Sequence, residues 1–171
     1  MSGSSEPAGK AEASAPLFFA CAPWPGDCPE KWATLKARSH PARILWTYYA
    51  LGDDMLGQDP GRKERGDFLR RLLGDLGHPR GTHGFWPMAI DDEPRPDLFF
   101  AGARDLGARG IVVLGSRAAG GLGIRGARPL LQIPAQGRLI MVLWELDALM
   151  RQENNYAATL AFLRTAIATA L

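Results

Sequence analysis

The chain has 171 residues, 46% of them hydrophobic and 22% charged, which suits one domain plus a tail and a core that needs no disulfide or metal staple. A net charge of only +2 excludes a global field that would draw the molecule onto nucleic acid. Two cysteines, Cys21 and Cys28, exclude a disulfide scaffold or a cysteine-held cluster, and their C-x6-C spacing matches no zinc motif.

Residues 1–16 are small, polar and rich in Ser, Gly, Pro and Ala, so they are expected to form a disordered tail. They hold no basic segment followed by an apolar run, and no stretch of the chain approaches a membrane span. A reduced, cytoplasmic protein without a membrane partner is expected, with a single domain over residues 17–171. Asp27, Pro29, Trp32 and Leu35 predict a short helix at about 28–38. The β-branched and aromatic run Arg43-Ile44-Leu45-Trp46-Thr47-Tyr48-Tyr49-Ala50-Leu51 predicts a buried strand that Gly52 and two aspartates stop. A loop with Gly57, Asp59, Pro60 and Gly61 follows. Phe68, Leu69, Leu72, Leu73 and Leu76 then recur at helical spacing up to Gly77.

Residues 83–89 predict a second short strand, DDEPRP a loop, and residues 97–106 a helix. Ile111-Val112-Val113-Leu114, closed by Gly115, has the character of a central strand, and SRAAGGLG opens a short helix. Residues 130–133 and 138–143 predict two more strands. Leu160, Leu163 and Ile167 mark a closing helix over about 156–170. Strands alternating with helices imply a three-layer α/β/α domain around a mainly parallel sheet of about four to five strands. Ligands of such sheets bind beyond the carboxyl ends of the strands. That edge carries Gly52-Asp53-Asp54, Pro87, Gly115-Ser116-Arg117 and Trp144-Glu145-Leu146-Asp147.

In order and spacing these landmarks resemble the uracil-DNA glycosylase superfamily over roughly residues 42–170. ARILWTYYALGDD stands where that family has a strand entering its first catalytic loop, and GDFLRRLLGDLG where it has a G-x-x-L-L-x-x-x-L helix. GFWPMA stands at the strand with a proline loop, and Ile111-Val112-Val113-Leu114-Gly115-Ser116-Arg117-Ala118 at the I-V-V-L-G-x-x-A strand. Residues 142–151 stand at the strand leading into H-P-S-x-L-L-R. The resemblance implies the fold and also a loss of the usual chemistry. Where the family's first loop positions a water, this chain has Gly52-Asp53-Asp54-Met55. The family's final histidine, which stabilises the departing base, falls on Glu145, and a carboxylate there repels developing negative charge. Leu146 and Asp147 replace the next two residues of that motif, and the cluster cysteines of some members are absent, so no cofactor is expected.

Other candidates stand beside simpler readings. Arg62, Lys63 and Arg65, followed by Arg70 and Arg71, form the best phosphate-binding candidate, with a solvated face as its alternative, and Arg151 is a further basic candidate. The 16 arginines against 4 lysines favour phosphate recognition or merely a compositional bias. His78 and His83 form a metal pair only if Asp53 or Asp91 supplies a third ligand. Trp24, Trp86 and Trp144 are candidates for stacking bases, and Trp32 and Trp46 for the core.

The first functional expectation is a catalytically degenerate glycosylase-like module. It would bind DNA or a nucleobase-containing ligand in repair or replication, with the tail as an arm for a partner protein. The psi subunit of the bacterial replicative clamp loader, similar in shape, is a precedent for such a silent role. The alternative is a nucleobase or nucleotide hydrolase in which Asp53 or Asp54 orients water and Glu145 is the general acid. A pocket for a small molecule, without nucleic acid, is the third. The site is expected at one cleft joining Gly52, Asp53 or Asp54 to Trp144, Glu145 and Asp147. Trp86 and Pro87 would be its wall, and Gly115 and Ser116 its floor.

Overall fold

A computed structural model describes residues 23–135 and 137–171. The tail of residues 1–16, the start of order near Leu17 and the reading of Cys21 fall outside the described residues.

In chain order the elements are α1 (Glu30–Arg38), β1 (Ile44–Tyr48), α2 (Leu51–Met55), α3 (Arg62–Leu76), β2 (His83–Phe85), β3 (Ala89–Ile90) and β4 (Glu93–Pro94). Then follow α4 (Pro96–Asp105), β5 (Gly110–Leu114), α5 (Ser116–Gly121), β6 (Leu131–Ala135), β7 (Arg138–Leu143), α6 (Leu146–Arg151) and α7 (Glu153–Ala170). Five strands form one sheet in the order β2-β1-β5-β7-β6. The first four are parallel, and β6 returns antiparallel on β7. The chain is therefore a mixed α/β protein with a mainly parallel five-stranded sheet.

The central strands β1 and β5 are buried along their whole length because both sheet faces are covered. Side chains alternate between the faces. Leu45, Ile111, Val113, Ile140 and Val142 pack with Trp32 and Leu35 of α1, Leu98 and Phe99 of α4, and Ala118 of α5. Ile44, Trp46, Val112, Met141 and Leu143 pack with Leu69 and Leu72 of α3, Leu149 of α6, and Leu163 and Ile167 of α7. Helices thus lie on both faces, giving three layers. Trp32 and Trp46 are core residues.

Several boundaries differ from expectation. The first strand stops at Tyr48, and Gly52, Asp53 and Asp54 lie inside α2 rather than in a turn. Gly52 allows this tight passage, because a Cβ there would overlap the Ala89 carbonyl. Two aspartates in the first turn of α2 also complement the helix dipole. The helix α3 begins at Arg62, so the basic residues placed in the preceding loop are helical. DDEPRP contains β4, which pairs with β3 through a two-residue turn, Asp91 and Asp92. Both turn residues have positive φ, 52° and 61°. Left-handed pairs of this kind suit the hairpin twist, and Asp tolerates the conformation better than most residues. The break at Trp144 and Glu145 separates β7 from a distinct short helix, α6.

Candidate functional site at the carboxyl edge of the sheet

The parallel strands β1, β5 and β7 end on one edge. The chain moves from β1 to β2 on one side and then to β5 on the other, so the switch point lies between β1 and β5. A ligand crevice is expected there, and the protein's own side chains fill it. Tyr49 follows β1, Arg117 begins α5, and Asp92 comes from the β3–β4 turn. The Arg117 guanidinium lies 3.6 Å from the centroid of the Tyr49 ring. It donates to the Asp92 carboxylate at 2.7 Å, and the Tyr49 hydroxyl donates to the Asp92 carbonyl at 3.2 Å. Desolvation, and then the contact with Asp92, raises the Tyr49 pKa. The Arg117–Asp92 pair is exposed, so its ionic part stabilises by no more than about 1 kcal/mol.

Glu145 lies at the next junction, β5 to β7. Its Oε1 accepts from the Arg117 backbone N–H at 3.2 Å and from the Ser116 hydroxyl at 3.4 Å. The carboxylate occupies the space beside Gly115 that a Cβ would need, and Gly115 has φ +104°. Glu145 therefore satisfies one orphan amide at the start of α5, that of Arg117. Trp144 is half-buried, and Ser116 and Asp147 are exposed.

The two aspartates of α2 have different partners. Asp53 Oδ1 accepts from the Asp91 N–H at 2.9 Å, which ties α2 to the β3–β4 ribbon. Asp54 accepts from the Tyr48 hydroxyl at 2.5 Å and from Arg65 at 2.8 and 2.6 Å. Arg65 also pairs with Asp59 at 2.7 Å. The Arg65 and Asp54 side chains are only 15% and 7% exposed. The hydrogen bonds that Arg65 donates to Asp54 raise the Arg65 pKa, and burial raises that of Tyr48.

Asp54 and Glu145 line different cavities: Asp54 one of about 420 Å³ beneath α3, and Glu145 one of about 200 Å³ with Ser116, Arg128 and Trp144. Trp86 and Pro87 are not a wall, because both are buried. The Trp86 indole donates to the Phe99 carbonyl at 3.0 Å and lies over Gly102, where a Cβ would overlap the ring. Trp24 and Trp32 meet it edge-on at 5.7 and 5.9 Å. Its apolar rings belong inside and its N–H found a carbonyl, so no face is left for a base. Gly52 is buried beneath β3, and Glu145 rather than a ligand covers Gly115.

The basic candidates divide. Arg65 turns inward, whereas Arg62, Lys63, Arg70, Arg71 and Arg151 are exposed. Arg70 pairs with Asp67 at 2.9 Å, and Arg71 lies over the Tyr156 ring at 4.5 Å. The two histidines meet each other. His83 Nδ1 accepts from the Trp46 indole at 2.9 Å, so the neutral ring carries its proton on Nε2 and donates it to His78 Nδ1, with 3.0 Å between the nitrogens. Burial, and then His78, lowers the His83 pKa to about 4. Among the described residues no group of three or more His, Cys, Asp or Glu side chains is placed to hold a metal ion. The sequence puts Arg117 on this edge without a role, and it does not single out Tyr48, Tyr49 or Asp92 as site residues. Strand alternation already sends Tyr48 and Tyr49 to opposite faces, which was the available signal.

Compared with known proteins, the chain matches no family model, and no curated sequence shows significant similarity to it. Among the described residues no helix is long and apolar enough to cross a membrane.

Proposed function

We propose that the chain is a catalytically degenerate uracil-DNA glycosylase-like protein that acts as a nucleic-acid-associated binding or adaptor module in DNA repair or replication. The observation that carries this reading is the placement of Glu145. Where the resemblance puts an anion-stabilising imidazole, a carboxylate caps α5 through the Arg117 and Ser116 donors. Asp53 and Asp54 are likewise committed to Asp91 and to Arg65 with Tyr48. The crevice at the switch point holds Arg117 stacked on Tyr49. Side chains locked in this way hold the fold together rather than activate a water. The hydrolase reading requires Asp53 or Asp54 to face Glu145, whereas Asp54 lines a different cavity from Glu145 and Asp53 is bonded to the Asp91 N–H.

The binding surface in this reading is formed by the exposed basic residues of α3, Arg62, Lys63, Arg70 and Arg71, and residues 1–16 are the arm for a replication or repair protein in the cytoplasm. Titration of fluorescent single- and double-stranded oligonucleotides tests the reading. Weak binding that falls steeply with salt is expected, since counterion release drives phosphate contacts. No binding at low salt, or binding indifferent to salt, contradicts it.

A further inference from the structure

The cavity of about 420 Å³ beneath α3 shares Arg62 and Arg70 with that surface, but the proposed DNA role makes no use of its apolar interior. Its walls are Leu51, Met55, Leu69, Leu73 and Phe85. Its polar end is the Tyr48 hydroxyl on the Asp54 carboxylate, already neutralised by Arg65. Two exposed arginines, Arg62 and Arg70, also line it. They stand at four-residue steps from Gly66, so all three share one face of α3. Gly66 is the opening, because a Cβ there would meet nothing within 4 Å. Among the described residues no ion pair holds Arg62, and Arg70 has only the exposed Asp67.

These features specify a ligand. The volume falls in the range of roughly 300–1,000 Å³ that small organic molecules occupy. The apolar walls take a hydrocarbon or aromatic body. The inner end is internally satisfied: Arg65 and Tyr48 already spend their hydrogen bonds on Asp54, which leaves no uncommitted cation there for an anion. Any negative charge must therefore face outward, where Arg62 and Arg70 fork onto carboxylate or phosphate. We propose that this cavity binds a free small amphipathic anion, a flat apolar body of one or two rings bearing one carboxylate or phosphate at the arginine rim. The inference goes beyond the proposed DNA role and does not depend on it.

Calorimetry and amide-shift mapping of the full chain with 1-naphthyl phosphate test it. Saturable binding is expected, with shifts confined to α2, α3 and β2, and neutral 1-naphthol is expected to bind at least about tenfold more weakly. A Cβ at Gly66 meets nothing within 4 Å and Leu favours the helix, so Gly66→Leu is expected to keep the fold by circular dichroism while its side chain blocks the opening and binding is lost. The double variant R62Q/R70Q is expected to bind the phosphate no better than the naphthol. Unchanged affinity in Gly66→Leu, equal affinity for the two probes, shifts elsewhere or no saturable binding overturns the proposal. So does probe affinity that weakens as protein concentration rises, since a second copy would then fill the cavity. DNA binding retained in Gly66→Leu separates this site from the proposed DNA surface. Loss of both together, with the fold intact, makes them one site and overturns the assignment.

Discussion

The Glu145 carboxylate occupies the space beside Gly115 that any other residue would fill with its Cβ. Gly115 also has φ +104°, a conformation that side chains disfavour. Gly115→Ala should therefore destabilise the fold by about 2–4 kcal/mol, from backbone strain and displacement of the α5 cap together. The double variant G115A/E145A should recover only part of that loss, because the overlap is relieved and the strain is not. Urea denaturation of the single and double variants measures both values, and full additivity would show that the two residues do not compete for space.

Asp54 and Arg65 form the most enclosed ion pair described, at 2.6 Å. Arg65→Met should cost about 3–5 kcal/mol, because it strands a carboxylate that only Tyr48 then satisfies. D54L/R65M should be much closer to the original stability, since replacing both partners of a buried pair is far cheaper than removing one. Chemical denaturation decides, and equal losses in the single and double variants would show that the pair carries no coupling.

His83 makes stability depend on acid pH. Its folded pKa, about 4, lies below the unfolded value near 6.5. Between these values the unfolded chain binds more protons, so this contribution is complete above pH 6.5 and declines as pH falls toward 4. Thermal midpoints across that window should fall with acid in the original chain. His83→Phe should flatten the slope, while costing stability at neutral pH through the orphaned Trp46 indole. An unaltered slope in the variant would assign the acid sensitivity to other groups.

The strands were the legible part of this sequence. Residues 44–48, 110–114 and 138–143 are runs of apolar or β-branched residues because both faces of the sheet are covered, and such runs need no neighbour to be recognised. The site was less legible because its geometry depends on partners far along the chain. Asp53 and Asp54 are neighbours in sequence but about 100° apart around a helix, and their partners are Asp91 and Arg65. Arg62 and Arg65 look alike in sequence, and only the carboxylate at Asp54 draws the second inward. A tryptophan in a proline loop reads equally well as a ligand wall or as core, and the seat that decides for Trp86 is the missing side chain of Gly102.

The exposed basic residues of α3 carry the proposed DNA contacts. Each glutamine substitution at Arg62, Lys63, Arg70 or Arg71 should weaken binding alike for all sequences and reduce the slope of log affinity against log salt by about 1. Arg65→Gln should leave that slope unchanged in whatever fraction stays folded, since its guanidinium faces Asp54 and Asp59. Anisotropy titrations between low and moderate salt distinguish these cases, and a slope that ignores all four outer residues would move the interface elsewhere.

In the proposed function, the carboxylates at the sheet edge are structural and uracil excision is absent. A uracil-release assay on single- and double-stranded DNA, using the purified full chain, tests it most directly. No release above the uncatalysed background is expected, with Glu145 held at the start of α5 by the Arg117 N–H. Excision at the rate of a working glycosylase, abolished by Glu145→Gln, would contradict it.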